Sequence, residues 1–249
     1  MAKTFSCARC VHCLKYFDEL TSDHVFPKSW YPRSTPANLE KWQAPSCMEC
    51  NQEHGRNENE LLIRLGLCVG PDRLGALGVS DKALKAIDPS MTRDPIEKQH
   101  RIFKLKQILA EMRVASDVPP QTFVTGFEPS PQDLASGRGA VSFPRARLKM
   151  LVRKLVCGAT YVLNEGLYIE ADHVITVLIE NRVGSGYAKT FIDRYGTRFH
   201  RGPGIVIGQA RPAEDRQSAI FEILIWETLA LHASVMDALA ASEEEQNAL

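Results

Sequence analysis

Two Cys-x-x-Cys pairs near the start of the chain restrict its folding more than any other feature. Five of the seven cysteines in the 249 residues fall at positions 7, 10, 13, 47 and 50. In a reducing compartment, such clustering is typical of metal binding rather than of disulfides. Each two-residue spacer lets one backbone turn present two sulfurs. Cys10, Cys13, Cys47 and Cys50 can therefore supply four thiolates to a tetrahedral structural Zn²⁺ ion.

The cysteine pattern leaves two questions open. Cys7 creates a second register, in which Cys7 and Cys10 would form the first pair in place of Cys10 and Cys13. The pairs by themselves are also explained by a structural zinc clip with no catalytic role. Residues 1–57 have little hydrophobic periodicity, so we expect the metal to hold this region together.

Composition sets few limits on function. The content of 44% hydrophobic and 24% charged residues is typical of a soluble globular protein. Thirty basic and thirty acidic residues cancel, so net charge favours no particular partner. The first residues lack an apolar signal segment and no run approaches the length of a membrane span, so we expect a cytoplasmic protein without membrane contact.

Hydrophobic patterning predicts an α+β fold. Helices are expected over "NENELLIRLGL", near residues 80–87, over about 94–114 and from Pro144 onward. Beyond about Tyr168, "HVITVLI", "GIVIG" and "AIFEILIW" predict strands separated by turns. The predicted domains are a zinc-stapled unit (1–66), a helical connector (67–117), a Pro/Gly-rich linker (118–143), an α+β C-terminal domain of unassigned role (144–240) and a polar tail (241–249).

Residues 10–54, under a fifth of the chain, carry a more specific pattern. The order is Cys10-x-x-Cys13, "ELTSDHVFP", "PANL" and then Cys47-x-x-Cys50-Asn51. It resembles the zinc-stapled branch of the HNH endonucleases. The resemblance implies a ββα-metal unit, in which a hairpin carries the histidine, a loop the asparagine and a helix the last motif residue.

The chemistry of phosphodiester hydrolysis gives these residues roles. His24 can act as the base that activates water, since imidazole titrates near neutral pH. The neighbouring Asp23 faces the other side of the strand and can hold a hard cation, to which Asn51 can add an oxygen ligand. His54, one helical turn further on, can join the same ion or contact phosphate.

The resemblance adds further expectations. It implies that Asn38 braces the loop and orients His24, and that one catalytic metal ion supports cleavage to a 5′-phosphate and a 3′-hydroxyl. The chain has Asn51 at the position where many HNH endonucleases have the final histidine of the motif. An Asp/Asn pair favours Mg²⁺ or Mn²⁺ as the catalytic ion, whereas engagement of His54 favours softer transition metals.

Each of these residues also has a simpler structural interpretation. Asp23 can cap a turn, Asn38 can be an ordinary turn residue, and His54 can be a polar helix residue without a ligand. His12, between Cys10 and Cys13, is expected to point to solvent. A second Asp-His-Val, at Asp172-His173, has no cysteine pair or following proline, so we expect it not to be catalytic.

A basic segment predicts a surface for a polyanion. The predicted phosphate-binding residues of the fourth helix are Arg145, Arg147, Lys149, Arg153 and Lys154. Three of them step by four residues and share a helix face, opposite the apolar Leu148, Leu151, Val152 and Leu155. The alternative is a solvated face balanced by acids elsewhere. No motif for reading base sequence is present.

The sequence thus predicts a metal-dependent HNH endonuclease acting on DNA, most simply double-stranded DNA. The alternative is a non-catalytic zinc-stapled module that binds nucleic acid or protein. Sequence specificity, action on RNA and homodimer formation stay open.

Overall fold

A computed structural model describes residues 4–70, 72–119, 123, 127–178 and 182–238, with the side chain of Arg182 excepted. The helices are α1 (Met48–Cys68), α2 (Val79–Ile87), α3 (Pro95–Glu111), α4 (Pro131–Ala135), α5 (Arg145–Leu163) and α6 (Arg182–Tyr195). The strands are β1 (Phe5–Arg9), β2 (Tyr16–His24), β3 (Gln43–Ser46), β4 (Arg113–Val114), β5 (Gly139–Ala140), β6 (His173–Val177), β7 (Thr197–Gly202), β8 (Ile205–Ala210), β9 (Ala219–Ile225) and β10 (Leu229–Asp237). The predicted α+β class is confirmed.

An antiparallel sheet followed by a long helix forms the N-terminal unit. The sheet order is β1-β2-β3, and the β2–β3 register places Asp23 opposite Ala44 and His24 opposite Gln43. α1 begins directly after β3, with Cys47 as its N-cap residue. The unit therefore has a hairpin, a loop and a helix in the order that the sequence predicts.

The C-terminal region is built on a five-stranded sheet. Its order is β6-β10-β9-β8-β7, and all neighbouring strands are antiparallel. Along β9 every second residue is buried, as expected for a strand with one face on the core. The strands predicted in "HVITVLI", "GIVIG" and "AIFEILIW" are confirmed as β6, β8 and β9. The sequence missed α6, β7 and β10.

One hydrophobic core joins the two ends of the chain. It contains residues from the segment that follows β2, from β3 and α1, from the buried face of α5, and from β8, β9 and β10. Trp226 Nε1 donates a hydrogen bond of 2.9 Å to Trp30 O, and the two indole rings lie 5.2 Å apart. Asn57 Nδ2 in α1 donates to Arg147 O in α5 at 3.0 Å. Helix α5 is thus fixed against the N-terminal unit, while the predicted domain boundaries stay predictions.

The predicted linker is partly structured where it is described. Residues 120–122 and 124–126 lie outside the described residues, as does the predicted tail at 241–249. The rest includes α4, which starts with a capping box between Ser130 and Asp133, and β5, which pairs with β4. Across the described segments, none of the helices has the length and apolar character needed to span a bilayer.

Candidate metal and catalytic site

The four predicted thiolates meet in the structure. The Sγ atoms of Cys10, Cys13, Cys47 and Cys50 all lie within 4.8 Å of one another. Cys13 Sγ and Cys47 Sγ are 3.9 Å apart. Four sulfurs bound to one Zn²⁺ at about 2.3 Å lie about 3.8 Å apart, so the cluster fits a tetrahedral metal ion such as zinc. Cys7 is exposed and outside this set, which favours the register with Cys13.

Backbone amides donate hydrogen bonds to two of the four sulfurs. The amides of Cys47 and His12 donate to Cys10 Sγ at 3.4 and 3.5 Å, and the Cys50 amide donates to Cys47 Sγ at 3.5 Å. Burial by itself would raise the pKa of Cys10, but these donors hold it below its ordinary value. Burial raises the pKa of Cys13. The first turn of α1 and the β1–β2 turn thus converge on one site that can hold a metal ion.

His24 lies at the end of β2, half-buried beside the loop to β3. Burial lowers its pKa, and the positive charges of Lys28, Lys154 and Lys41 lower it further against the opposing effect of Asp23. Its Nδ1 is buried and has no hydrogen-bond partner among the described residues. The imidazole is therefore neutral near pH 7 and able to accept a proton.

Asp23, the residue before His24 in β2, is buried and is held by a lysine from α5. Lys154 Nζ donates to Asp23 Oδ1 at 2.9 Å and also pairs with Glu58 in α1. Burial would raise the pKa of Asp23, but His12 and Lys154 together hold it below its usual value. The prediction that Lys154 binds phosphate is wrong in this structure, because its side chain is only 2% exposed and its ammonium is committed to two carboxylates.

Two histidines extend the site. The side chain of His12 is 8% exposed and its Nε2 lies 3.4 Å from Asp23 Oδ2, so the expectation that it points to solvent is wrong. Its ring lies 4.4 Å from that of His54, a buried residue of α1. Burial, with the charges of His12 and Lys154, lowers the pKa of His54 to about 3. The structure thus brings His54 beside Asp23, together with a histidine that the sequence did not assign.

The two asparagines lie in α1 and in the loop between β2 and β3. Asn51 is in the first turn of α1, where its Nδ2 donates to Thr21 Oγ1 in β2 at 3.1 Å. Asn38 is exposed in a turn of the loop between β2 and β3. The ligand role of Asn51 and the bracing role of Asn38 stay predictions.

The second Asp-His pair, Asp172-His173, lies in a different environment from the first. His173 Nδ1 lies 2.8 Å from Asp172 Oδ1, and Nε2 lies 3.6 Å from Asp215 Oδ2. Burial would lower the pKa of His173, but Asp172 and Asp215 raise it above its ordinary value. His173 thus lies between two carboxylates at the start of β6, and its lack of a catalytic role stays a prediction.

Two sets of basic residues bear on the predicted substrate. Arg145, Arg147, Lys149 and Arg153 are exposed on α5, while Leu148, Leu151, Val152 and Leu155 are buried on its other face as predicted.

A second set of basic residues, near His24, was missed by the sequence analysis because its members come from separate segments. Lys28 and Lys41 act on His24 from the β2–β3 loop. Arg201 of β7 lies 4.4 Å above the ring of Trp42, whose carbonyl accepts from the Val25 amide next to His24.

Comparison with known proteins adds no relative: no protein-family model matches the chain, and neither curated proteins nor solved structures show significant similarity to it.

Proposed function

We propose that this chain is a metal-dependent HNH-type endonuclease that hydrolyses phosphodiester bonds of double-stranded DNA. The observation that carries the proposal is the position of His24 and Asp23 at the end of a hairpin strand, stapled by four cysteines to a helix that carries Asn51 and His54. This is the order of elements that the motif resemblance implies. The C-terminal sheet supports the unit through the shared core.

His24 is the proposed general base. Burial and the nearby lysines lower its pKa, which favours the neutral imidazole that can take a proton from water. Since Nδ1 is buried among protein atoms, Nε2 is the nitrogen that would accept this proton. The neighbouring lysines favour a polyanionic substrate at this position and disfavour a positive charge on the free imidazole.

Two metal sites have separate roles in the proposal. Zn²⁺ in the four-cysteine cluster is structural, because the thiolates fill all four positions of a tetrahedral ion. The catalytic cation, Mg²⁺ or Mn²⁺, would be held by Asp23 with Asn51 or His54. When bound, such a cation stabilises the charge that develops on the phosphate oxygens.

Charge supports a nucleic acid as the substrate. Arg145, Lys149 and Arg153 share the exposed face of α5, and Lys28 and Lys41 lie close to His24. Contacts of this kind attract phosphates without reading base sequence.

One observation favours the alternative of a non-catalytic zinc-stapled binding module. Lys154 already neutralises Asp23 from within the protein, so one oxygen of the proposed cation ligand is occupied. A module of this kind would keep the staple and the basic surfaces but would not cleave.

Incubation of the purified protein with supercoiled plasmid separates these functions. The nuclease proposal predicts nicking with Mg²⁺ or Mn²⁺, loss of nicking after chelation that leaves the zinc in place, and recovery on adding the cation back. The nicks should be sealed by DNA ligase, which requires a 5′-phosphate and a 3′-hydroxyl. Plasmid binding without nicking under every divalent cation would favour the binding module, and cleavage of RNA alone would correct the substrate.

A further inference from the structure

Three neighbouring side chains beside the four-cysteine cluster each have a buried polar atom that makes no hydrogen bond among the described residues. The atoms are His12 Nε2, Asp23 Oδ2 and His54 Nδ1, of which the first two lie 3.4 Å apart. Their side chains are at least nine-tenths buried. Buried polar atoms are normally satisfied, because leaving them without a partner costs free energy. His12 Nε2 and Asp23 Oδ2 face each other at 3.4 Å beside the ring of His54, and a shared cation would give all three atoms a partner.

The chemistry of the three atoms identifies the kind of ligand. Two imidazole nitrogens and one carboxylate oxygen form a ligand set typical of divalent transition metals, whereas Mg²⁺ prefers oxygen ligands and retains several waters. Lys154 already donates to Asp23 Oδ1, so only Oδ2 is left for a cation. Asn51 donates through Nδ2 to Thr21 Oγ1.

We propose that His12, Asp23 and His54 form a binding site for one divalent transition metal ion, with His12 in the place that the sequence assigned to Asn51. The catalytic meaning of this site rests on the proposed function, whereas the binding of the ion can be measured independently. His12 lies between Cys10 and Cys13, so the zinc staple fixes the backbone that carries one ligand of the second site. The two metal sites are therefore coupled through His12.

Binding requires a small movement of the side chains. In the described residues, the four cysteines are the one set of three or more potential ligands whose atoms all lie within 4.8 Å of one another. Ligand atoms bound to one ion at about 2.0–2.2 Å lie no more than about 4.4 Å apart. His12 Nε2 and Asp23 Oδ2, at 3.4 Å, already meet this limit. The imidazole of His54 has to turn toward them when the ion binds.

Titration of the zinc-loaded protein with Co²⁺, and separately with Mg²⁺, tests the site. We expect one Co²⁺ per chain beyond the zinc, bound more tightly than Mg²⁺ and with a visible spectrum that lacks thiolate charge-transfer bands. His12→Phe and His54→Phe keep an aromatic ring in the packed pair but remove a ligand, and each should weaken Co²⁺ binding at least tenfold, since even outer-shell changes cost about 10–100-fold. His100→Ala, on exposed α3, is the matched control.

The outcomes separate this inference from the proposed function. If Asn51→Ala weakens Co²⁺ binding and His12→Phe leaves it unchanged, the inference is overturned in favour of the ligand set predicted from the sequence. Zinc content is measured in every variant to check that the four-cysteine site is intact. If His12→Phe loses zinc, the Co²⁺ affinity of His54→Phe tests the site instead. Absence of Co²⁺ binding in a protein that still cleaves with Mg²⁺ would refute this site alone. Co²⁺ binding by these three residues without any cleavage would support the site and refute the nuclease.

Discussion

Lys154 Nζ lies 2.9 Å from Asp23 Oδ1, and this contact joins residues 131 positions apart in the sequence. It connects α5 of the C-terminal region to the strand that carries the proposed base. Because Glu58 of α1 pairs with the same ammonium, three elements meet at one buried lysine. The N-terminal unit and the C-terminal region are therefore linked by charge as well as by the apolar core.

The first prediction concerns the stability of this contact. Lys154→Met removes the ammonium and leaves the carboxylates of Asp23 and Glu58 buried without it. We expect the free energy of unfolding to fall by about 3–5 kcal/mol, as for other buried pairs that lose one partner. Denaturant unfolding measures the change. Lys149→Met, at an exposed position of the same helix, should stay within about 0.5 kcal/mol of the wild type. Equal stability of the two variants would mean that the pair is not buried in solution.

The second prediction concerns the zinc staple. We expect about one tightly bound zinc per purified chain, because four thiolates complete one tetrahedral site. Cys13→Ser should lose the ion and become sensitive to protease, since the metal holds the β1–β2 turn to α1. Cys7→Ser should keep its zinc, because Cys7 is exposed outside the cluster. The opposite pattern, measured by metal analysis and limited proteolysis, would show that Cys7 completes the site.

The third prediction concerns the basic face of α5. Replacing Arg145, Lys149 and Arg153 with Gln should reduce the slope of log affinity against log salt by up to about 2.7, at about 0.9 for each lost phosphate contact. Filter binding to duplex DNA over a range of salt concentrations measures the slope. The helix should stay folded because its buried leucines are unchanged. An unchanged slope would assign DNA binding to other residues, of which Lys28 and Lys41 are the first to test.

The fourth prediction concerns the pH dependence of stability. The pKa of His173 is raised in the folded protein, so its ion pairs with Asp172 and Asp215 stabilise the fold at pH values below the unfolded pKa of about 6.5. This contribution should be lost as the pH rises through the folded pKa. The difference in unfolding free energy between the wild type and His173→Gln should therefore shrink from pH 6 toward pH 9. A difference that is independent of pH would mean that His173 is not charged in the fold.

The sequence predicted much of the fold from local patterns. Cysteine spacing predicted the four-thiolate cluster, and apolar periodicity predicted α1, α3 and α5. It missed α6, because Gly184 and Gly186 give its first turns the composition of a loop. Tertiary packing against β8, β9 and β10 stabilises this helix despite its glycines.

The candidate site was harder to predict from the sequence than the fold. Lys154 belongs to a basic run, but it follows Leu151 by three residues and so lies near the buried face of α5. Its partners, Asp23 and Glu58, are distant in the sequence, so spacing could not identify them. The orientation of His12 likewise depends on how the turn between Cys10 and Cys13 packs against α1. Long-range contacts, rather than local propensity, determine these side chains.

The most direct test of the account is single-turnover cleavage of labelled duplex DNA by His24→Ala, with His100→Ala as the control. His24 supplies the proposed base but no zinc ligand, so the variant should match the wild type in zinc content, thermal unfolding and DNA affinity. Its cleavage rate should fall by roughly 10²–10⁴-fold, while His100→Ala cleaves at the wild-type rate. Wild-type cleavage by His24→Ala would contradict the assignment of His24 as the base, and with it the proposed mechanism.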